Sequence, residues 1–524
     1  MVELNPFRSW VPKAVGSIYY LLMLLLSMSV DCVYSSILNE NVGQRGMQSD
    51  DVMWALNGLI VGMAAAAPFS FRVLRVCRLR IVNAVCLSVM IVAEFLARDT
   101  EEPLVLVALC VLMGFARMNL MMINMMSMLS YLTGKNMSEA FNDAPERTEQ
   151  EWQKLMHTMT PAMAFLYLIL MSMTQAGTSL VSWMAYVFCI RSVYDLMMLL
   201  MALMLVVGAV LMPLHWFDDL PEPKAGDTRW PFTGGRMLSA LVFTASSLCI
   251  VYAINHGYNQ DWFASSAIRL SLAAGLVLLG AFLLIDWLRP EHERYWNYEL
   301  LAEPSARWAL LLYVFAIILN SGSMLVTVCS QVAMQLDQWH SACLSSWVWV
   351  GYVVGTLLIV FTFRRIHYHH YATVAFAFFC VYALAIYITV QTQMEYDHLV
   401  WLTVVRGTGI FLVYVCGMVM AYYRRRGSLL ASWITAMFFL RNIVSGSVGV
   451  ALYQQGMLIG QQEYLQGYAT AYNAPMVVQS MIASVKHLAG LSFWLALAVI
   501  LVLLACNWQW LHGGRFNIIN KREK

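Results

Sequence analysis

Apolar residues along this chain gather into runs of about twenty, the length a helix needs to cross a ~30 Å hydrocarbon core. Fourteen such runs lie at roughly 15–37, 53–71, 81–98, 103–131, 160–181, 184–213, 236–256, 263–287, 307–334, 342–363, 370–391, 398–422, 428–453 and 488–508. All are predicted to be helices, because an open sheet edge cannot satisfy its backbone groups in lipid. Three polar segments between them exceed a tight turn, at about 132–159, 214–235 and 288–306, and a fourth spans about 454–487. None is long enough for a second domain. The stretch 138–158 is charged and carries Phe141, Trp152 and Leu155, which reads either as an amphipathic surface helix or as a simple connector.

Composition sharpens this picture. Of 524 residues, 60% are hydrophobic and 12% charged, with a mean hydropathy of +0.64. A globular chain carries about a quarter charged residues, so an ordinary soluble protein is excluded and an all-α polytopic membrane protein is expected. The net charge of +2 comes with no basic block interleaved with aromatics, which leaves no support for nucleic acid as a partner. Eleven cysteines are scattered singly without C-x-x-C spacing. The run R-R-I-H-Y-H-H holds His367, His369 and His370 but no acid or cysteine to complete a metal site. No nucleophile elbow, phosphate loop or dinucleotide fingerprint is present, so neither catalysis nor a cofactor is expected.

Basic residues set the expected orientation, because positively charged loops stay in the cytoplasm. With the N-terminus inside, 24 of the 32 lysines and arginines fall on the cytoplasmic side, including Arg72, Arg75, Arg78 and Arg80 between helices 2 and 3. Only Arg45, Arg98 and Lys486 fall outside. An even helix count with both termini cytoplasmic, in the cell (inner) membrane, is the expectation.

Five arginines remain within spans: Arg117, Arg191, Arg269, Arg406 and Arg441. Each costs about 2.5–3.5 kcal/mol at a helix centre on insertion scales, so they are expected to face protein or water. Arg269, near its span's end, can snorkel. Asp31, Glu94 and Asp195 are the carboxylates within spans, and Asp31 and Asp195 are the candidates for proton coupling. Arg191 and Asp195, four residues apart, share a face and can also simply neutralise each other. Asp31 has no basic residue within a turn, which leaves its partner to another helix. Glu94 stands four residues before Arg98 and reads as half of a surface ion pair. Helix 4 carries Met118, Met121, Met122, Met125, Met126 and Met128, which suit either packing or an adaptable cavity.

Four stretches, taken in order, resemble the fourteen-helix drug/proton antiporter branch of the major facilitator superfamily. S-V-D-C-V-Y-S-S-I-L places Asp31 at the family's acidic position in helix 1, and Trp54 and Pro68 stand in a similar helix 2. S-W-M-A-Y-V-F at 182–188 resembles the opening of helix 6, and G-Y-N-Q-D-W-F-A-S-S-A-I at 257–268 the loop joining the two extra helices. R-G-T-G at 406–409, then Arg441 with G-S-V-G-V-A at 446–451, is similar to the signatures of helices 12 and 13. The chain departs from the family between helices 2 and 3, where F-R-V-L-R-V-C-R-L-R keeps the charge but lacks the acid and glycines. In helix 4 an arginine stands at 117 rather than at the position of Cys110.

The resemblance implies a six-helix bundle over 1–213, two inserted helices over 214–306 and a second bundle over 307–524. It implies proton-coupled export of drug-like or amphipathic small molecules, with Arg117, Arg191, Arg406 and Arg441 as cavity or gating residues. In a host with two membranes it implies a periplasmic adaptor and an outer-membrane channel as partners, docked on 454–487. The alternatives are transport of one specific, anionic metabolite, and a membrane sensor or scaffold that kept the fold without transport.

Overall fold

The computed structural model describes residues 6–133, 149–213, 232–290, 293–302, 304–362, 368–391, 394–422, 427–440, 447–466 and 474–513. These residues are overwhelmingly helical. Thirteen helices among them are long and apolar enough to cross a membrane, against fourteen runs read from the sequence. The difference lies at run 428–453: the helix Gly427–Leu440 has only 14 residues, and 441–446 lie outside the described residues.

By contact the chain falls into two compact units. The first gathers 1–145, 176–300 and 426–443, and the second 146–175, 301–425 and 444–524. The first holds α1 (Lys13–Ser29), α2 (Cys32–Ser35), α3 (Leu38–Arg45), α4 (Ser49–Val76), α5 (Leu79–Arg98) and α6 (Pro103–Thr133). The helix α7 (Glu149–Val187) is shared between the units, and its long first stretch takes up part of what reads as a polar connector. The first unit continues with α8 (Ile190–Leu211), α9 (Gly234–Gly257) and α10 (Ser266–Trp287). The second unit holds α11 (Pro304–Ser321), α12 (Ser323–Val328), α13 (Gln338–Ser346), α14 (Val348–Thr362), α15 (Tyr368–Thr389) and α16 (Tyr396–Tyr422). The helix α17 (Gly427–Leu440) belongs to the first unit, and α18 (Val450–Gln466) and α19 (Ala474–Gly513) to the second. Much of the polar segment 454–487 is therefore helical, with α18 packed on α19.

Glycine sets the closest crossings in each unit. A methyl group on Gly62 of α4 would fall on the Val111 carbonyl of α6, and one on Gly114 of α6 on the Leu59 carbonyl of α4. Only glycine lets the two backbones approach this far, as small residues do at helix crossings in membranes. In the second unit, Gly351 of α14 meets Val404 and Thr408 of α16 in the same way, and Gly407 meets Val348.

The inserted pair, α9 and α10, docks on α4. Trp54 donates its indole N–H to the Leu248 carbonyl at 3.2 Å. The Tyr295 hydroxyl, beyond α10, donates to the Ala65 carbonyl at 3.0 Å. Asp286 is fully buried and accepts the Tyr295 and Trp296 backbone N–H groups at 2.7 and 3.1 Å. Its charge is thus spent on folding the segment after α10 back against α4, where Phe69, Phe243, Phe282 and Tyr295 close an aromatic core. Outward, Leu270, Val277 and Leu284 of α10 are exposed by more than half, as helices facing lipid require.

Candidate functional site

Helix 1 is interrupted where its carboxylate stands. Ser27 and Ser29 turn their hydroxyls back onto the Leu24 and Leu25 carbonyls, a bonding that bends helices. Regular α-helix stops at Ser29 and resumes at Cys32. Gly177 of α7 admits Ser29 at this point, since a methyl group there would lie 2.8 Å from the Ser29 hydroxyl. Val30 and Asp31 keep helical dihedrals across this break, and Arg117 Nη2 of α6 lies 3.1 Å from Asp31 Oδ1. The guanidinium side chain is 3% exposed and the carboxylate 16%. Nη2 also touches the Met28 sulfur at 3.4 Å, while Nε is buried without a hydrogen-bond partner. Cys32 adds its sulfur 3.6 Å from Asp31 Oδ1 and 3.4 Å from the Thr178 hydroxyl. Two residues read separately from the sequence are thus one ion pair, left with spare donor capacity on the cation.

The other acidic candidates sit differently. Arg191 and Asp195 do not pair with each other: Arg191 bonds Asp99 at 2.9 Å, and Asp195 bonds Arg98 at 2.5 Å. Arg98 also bonds Asp99 at 3.0 Å, so four charges close a network at one end of α5 and α8, with Asp195 51% exposed. Desolvation opposes ionisation of Asp99, but the hydrogen bonds and charges of Arg98 and Arg191 outweigh it and hold this carboxyl below the usual carboxylate range. Glu94 is not a surface ion pair with Arg98. It is fully buried, and neither of its oxygens has a hydrogen-bond partner. Arg45, read as an external loop residue, is 7% exposed and bonds the Thr100 carbonyl at 2.9 Å and the Tyr194 hydroxyl at 2.8 Å. Its spacing of four from Asn41, which approaches it at 3.5 Å, was the available signal.

In the second unit Arg406 of α16 is half-buried. Its Nη1 donates to Asn320 Oδ1 at 3.0 Å, and its Nε is buried without a partner. Tyr382 stands within electrostatic reach and donates to the Gly322 carbonyl at 2.8 Å. Tyr382 lines a small apolar cavity with Leu319, Leu325, Tyr453 and Ser492. Arg441 lies outside the described residues. At the start of α5, Arg80 donates to the Met212 carbonyl at 2.8 Å, joining α5 to the end of α8. Arg72 and Arg78 stand half-buried nearby, while the Arg75 side chain is outside what is described. The helix 4 methionines are all buried. Among the described residues no three His, Cys, Asp or Glu side chains gather as a metal site.

No family model matches the sequence, and no curated protein sequence does. Solved structures do share its architecture. The peptide transporter POT in complex with sulfate matches with a TM-score of 0.57 at 12% identity, over 96% of each chain. The human organic anion transporter MFSD10 (TETRAN) matches at 0.50 and 11%, over 93% of this chain and 100% of its own. A mutant of the nucleoside transporter NupG matches at 0.50 and 13%, over 93% and 99%. At these identities the likeness concerns the fold, and the drug/proton antiporter branch is not distinguished by it. The chain is an all-helical, multi-pass membrane protein with a major-facilitator-like fold.

Proposed function

We propose that the chain is a secondary active transporter that couples substrate movement to protons through Asp31 and Arg117. The observation that carries this reading is the 3.1 Å contact between a carboxylate and a guanidinium, both withdrawn from solvent, at the interruption of helix 1. While Asp31 is ionised the two charges compensate each other, and breaking such a pair leaves an expensive buried charge. A proton on Asp31 frees Arg117, and a substrate group can compete for either partner. Proton and substrate that use the same atom exclude each other, which is the linkage an antiporter needs. Export of amphipathic or drug-like molecules follows from the sequence resemblance, with alternating access of bundles at 1–213 and 307–524 around the insertion 214–306.

Arg406 favours the second reading, a substrate with an anionic group. Its partner Asn320 is neutral, so its charge has no compensation from that contact, and a desolvated cation gains most from a carboxylate or phosphate. The likeness to an organic anion transporter and to a peptide transporter bound to sulfate supports the same class. On this reading the chain lies in the cell (inner) membrane with both termini cytoplasmic. Arg72, Arg75, Arg78 and Arg80 form a cytoplasmic basic cluster, and α18 with the start of α19 offers a surface for a periplasmic adaptor.

Purified protein in liposomes loaded with a pH-sensitive dye tests the proposal. Under an imposed pH gradient, a panel of amphipathic cations and organic anions should include one class that accelerates proton flux. Asp31→Asn, a fixed mimic of the protonated carboxyl, should abolish that acceleration and weaken binding of a compound that competes for Asp31. Folded protein inert to every class would favour the sensor or scaffold reading instead.

A further inference from the structure

We propose that Glu94 is a second proton-binding carboxyl in the first unit, and that its proton decides whether Arg45 ties α3 to α5 and α8. The inference rests neither on Asp31 nor on transport. Glu94 is fully buried in α5, and neither oxygen is hydrogen-bonded. The groups facing it are Tyr34 of α2, Arg45 at the end of α3, Cys110 of α6 and Tyr194 of α8. The Tyr34 hydroxyl is likewise buried, with the Cys110 thiol as its polar neighbour. Arg98, one turn further along, is committed to Asp99 and Asp195.

Arg45, the one cation facing Glu94 among the described residues, is engaged elsewhere. Its Nη1 bonds the Ala97 and Thr100 carbonyls at 2.5 and 2.9 Å, its Nη2 the Tyr194 hydroxyl at 2.8 Å, and its Nε approaches Asn41 at 3.5 Å. The Ala97 carbonyl is in the last turn of α5, where the helix dipole favours a cation, and Thr100 follows just beyond it. Tyr194 in turn donates to Asn41 at 2.7 Å, and Asn41 to the Val33 carbonyl at 2.7 Å, so the knot joins α2, α3, α5 and α8. A carboxylate buried without a hydrogen bond is heavily penalised, so in this arrangement the proton stays on Glu94. Arg45 already offsets part of a charge on Glu94 from where it stands; once the proton leaves, a direct ion pair would draw its guanidinium off the carbonyls it holds, and α3 would lose its tie.

Infrared difference spectra of the purified full chain, titrated with pH, read this directly. A protonated-carboxyl band should be present at neutral pH, vanish in Glu94→Gln and persist to higher pH in Arg45→Gln, which lacks the compensating cation. Hydrogen exchange of the 38–45 amides, corrected for intrinsic chemistry, should quicken over the range in which the wild-type band is lost and stay flat in Glu94→Gln. Should Glu94→Gln fail to accumulate, dicyclohexylcarbodiimide, an apolar reagent selective for protonated carboxyls, can be mapped on the wild-type chain by peptide mass spectrometry. Labelling of Glu94 that declines as pH rises supports the proposal. No Glu94 band or label at neutral pH, a band indifferent to Arg45→Gln, or identical exchange profiles in wild type and Glu94→Gln would overturn it.

Discussion

Arg117 and Arg406 meet one physical problem in two units and answer it differently. Each lies beside a glycine-mediated helix crossing, Arg117 three residues after Gly114 and Arg406 one residue before Gly407. Each keeps a buried Nε without a partner. Arg117 faces a carboxylate, Asp31, whereas Arg406 faces a neutral amide, Asn320. An arginine matched by a carboxylate is electrically quiet until a proton or a competing ion arrives. One matched by an amide keeps its charge and attracts an anion. The first arrangement suits a switch and the second a ligand anchor, although the sequence presents both residues simply as arginines in apolar runs.

Removing the cation in the first unit should have the largest effect on stability. Arg117→Ala leaves the partly buried Asp31 without its guanidinium, and breaking a buried pair from one side costs up to about 3–5 kcal/mol. Thermal unfolding of the detergent-solubilised protein, followed by loss of the monodisperse gel-filtration peak, should shift sharply downward. Adding Asp31→Asn should recover part of that loss, because no unpaired carboxylate then remains. If the double variant were no more stable than Arg117→Ala alone, the pair would not be what Arg117 stabilises, and the contrast with Arg406 would lose its basis.

The second unit should respond in the opposite sense. Arg406→Ala removes one hydrogen bond to a neutral acceptor, worth about 1 kcal/mol, yet should largely abolish binding of an anionic substrate. Asn320→Asp sharpens the comparison, since it places a carboxylate where an oxygen now lies 3.0 Å from Nη1. That variant should melt higher than wild type and bind anions poorly, because its cation has become a second Arg117. Unchanged anion binding in both variants would mean that Arg406 braces α16 against α11 and anchors nothing.

How much of this was legible in the sequence depends on the distance over which the relevant physics acts. Span positions follow from local hydropathy, and they agree with the helices to within a few residues except at run 428–453, where the described helix stops at Leu440, and where α7, α18 and α19 run on beyond the apolar stretch. Asp31 and Arg117 could each be singled out because a charge in an apolar run is conspicuous alone. Their pairing could not, since it depends on how helix 1 packs against α6. Local spacing misled where helices end. Arg98 and Arg191 stand at the tips of α5 and α8, so they reach across to each other's acids rather than along their own helices. Glu94, one turn inside α5, faces α6 and α8 instead of following Arg98 outward. Arg45 was hidden by charge counting, which places a residue on one side of the membrane and says nothing of whether it is buried.

The smallest expected effect separates Asp195 from Asp31. Both are aspartates of the first unit and both contact an arginine, but the Asp195 side chain is 51% exposed against 16% for Asp31. Exposed pairs are screened by water and salt and contribute little, and in this network Arg98 keeps Asp99 when Asp195 is neutralised. Asp195→Asn should therefore leave the melting temperature and any gradient-driven flux at wild-type values. The surrounding network carries its own signature. Because the Asp99 carboxyl is held below its unfolded value, its contribution is present above the ordinary carboxylate range and fades as pH falls through the lowered folded-state value. Added salt should weaken it in the same way, while the withdrawn Asp31–Arg117 pair should be far less sensitive. Loss of gradient-driven flux in Asp195→Asn, with Asp31→Asn unaffected, would move proton coupling to α8 and reverse the roles assigned to these two carboxylates.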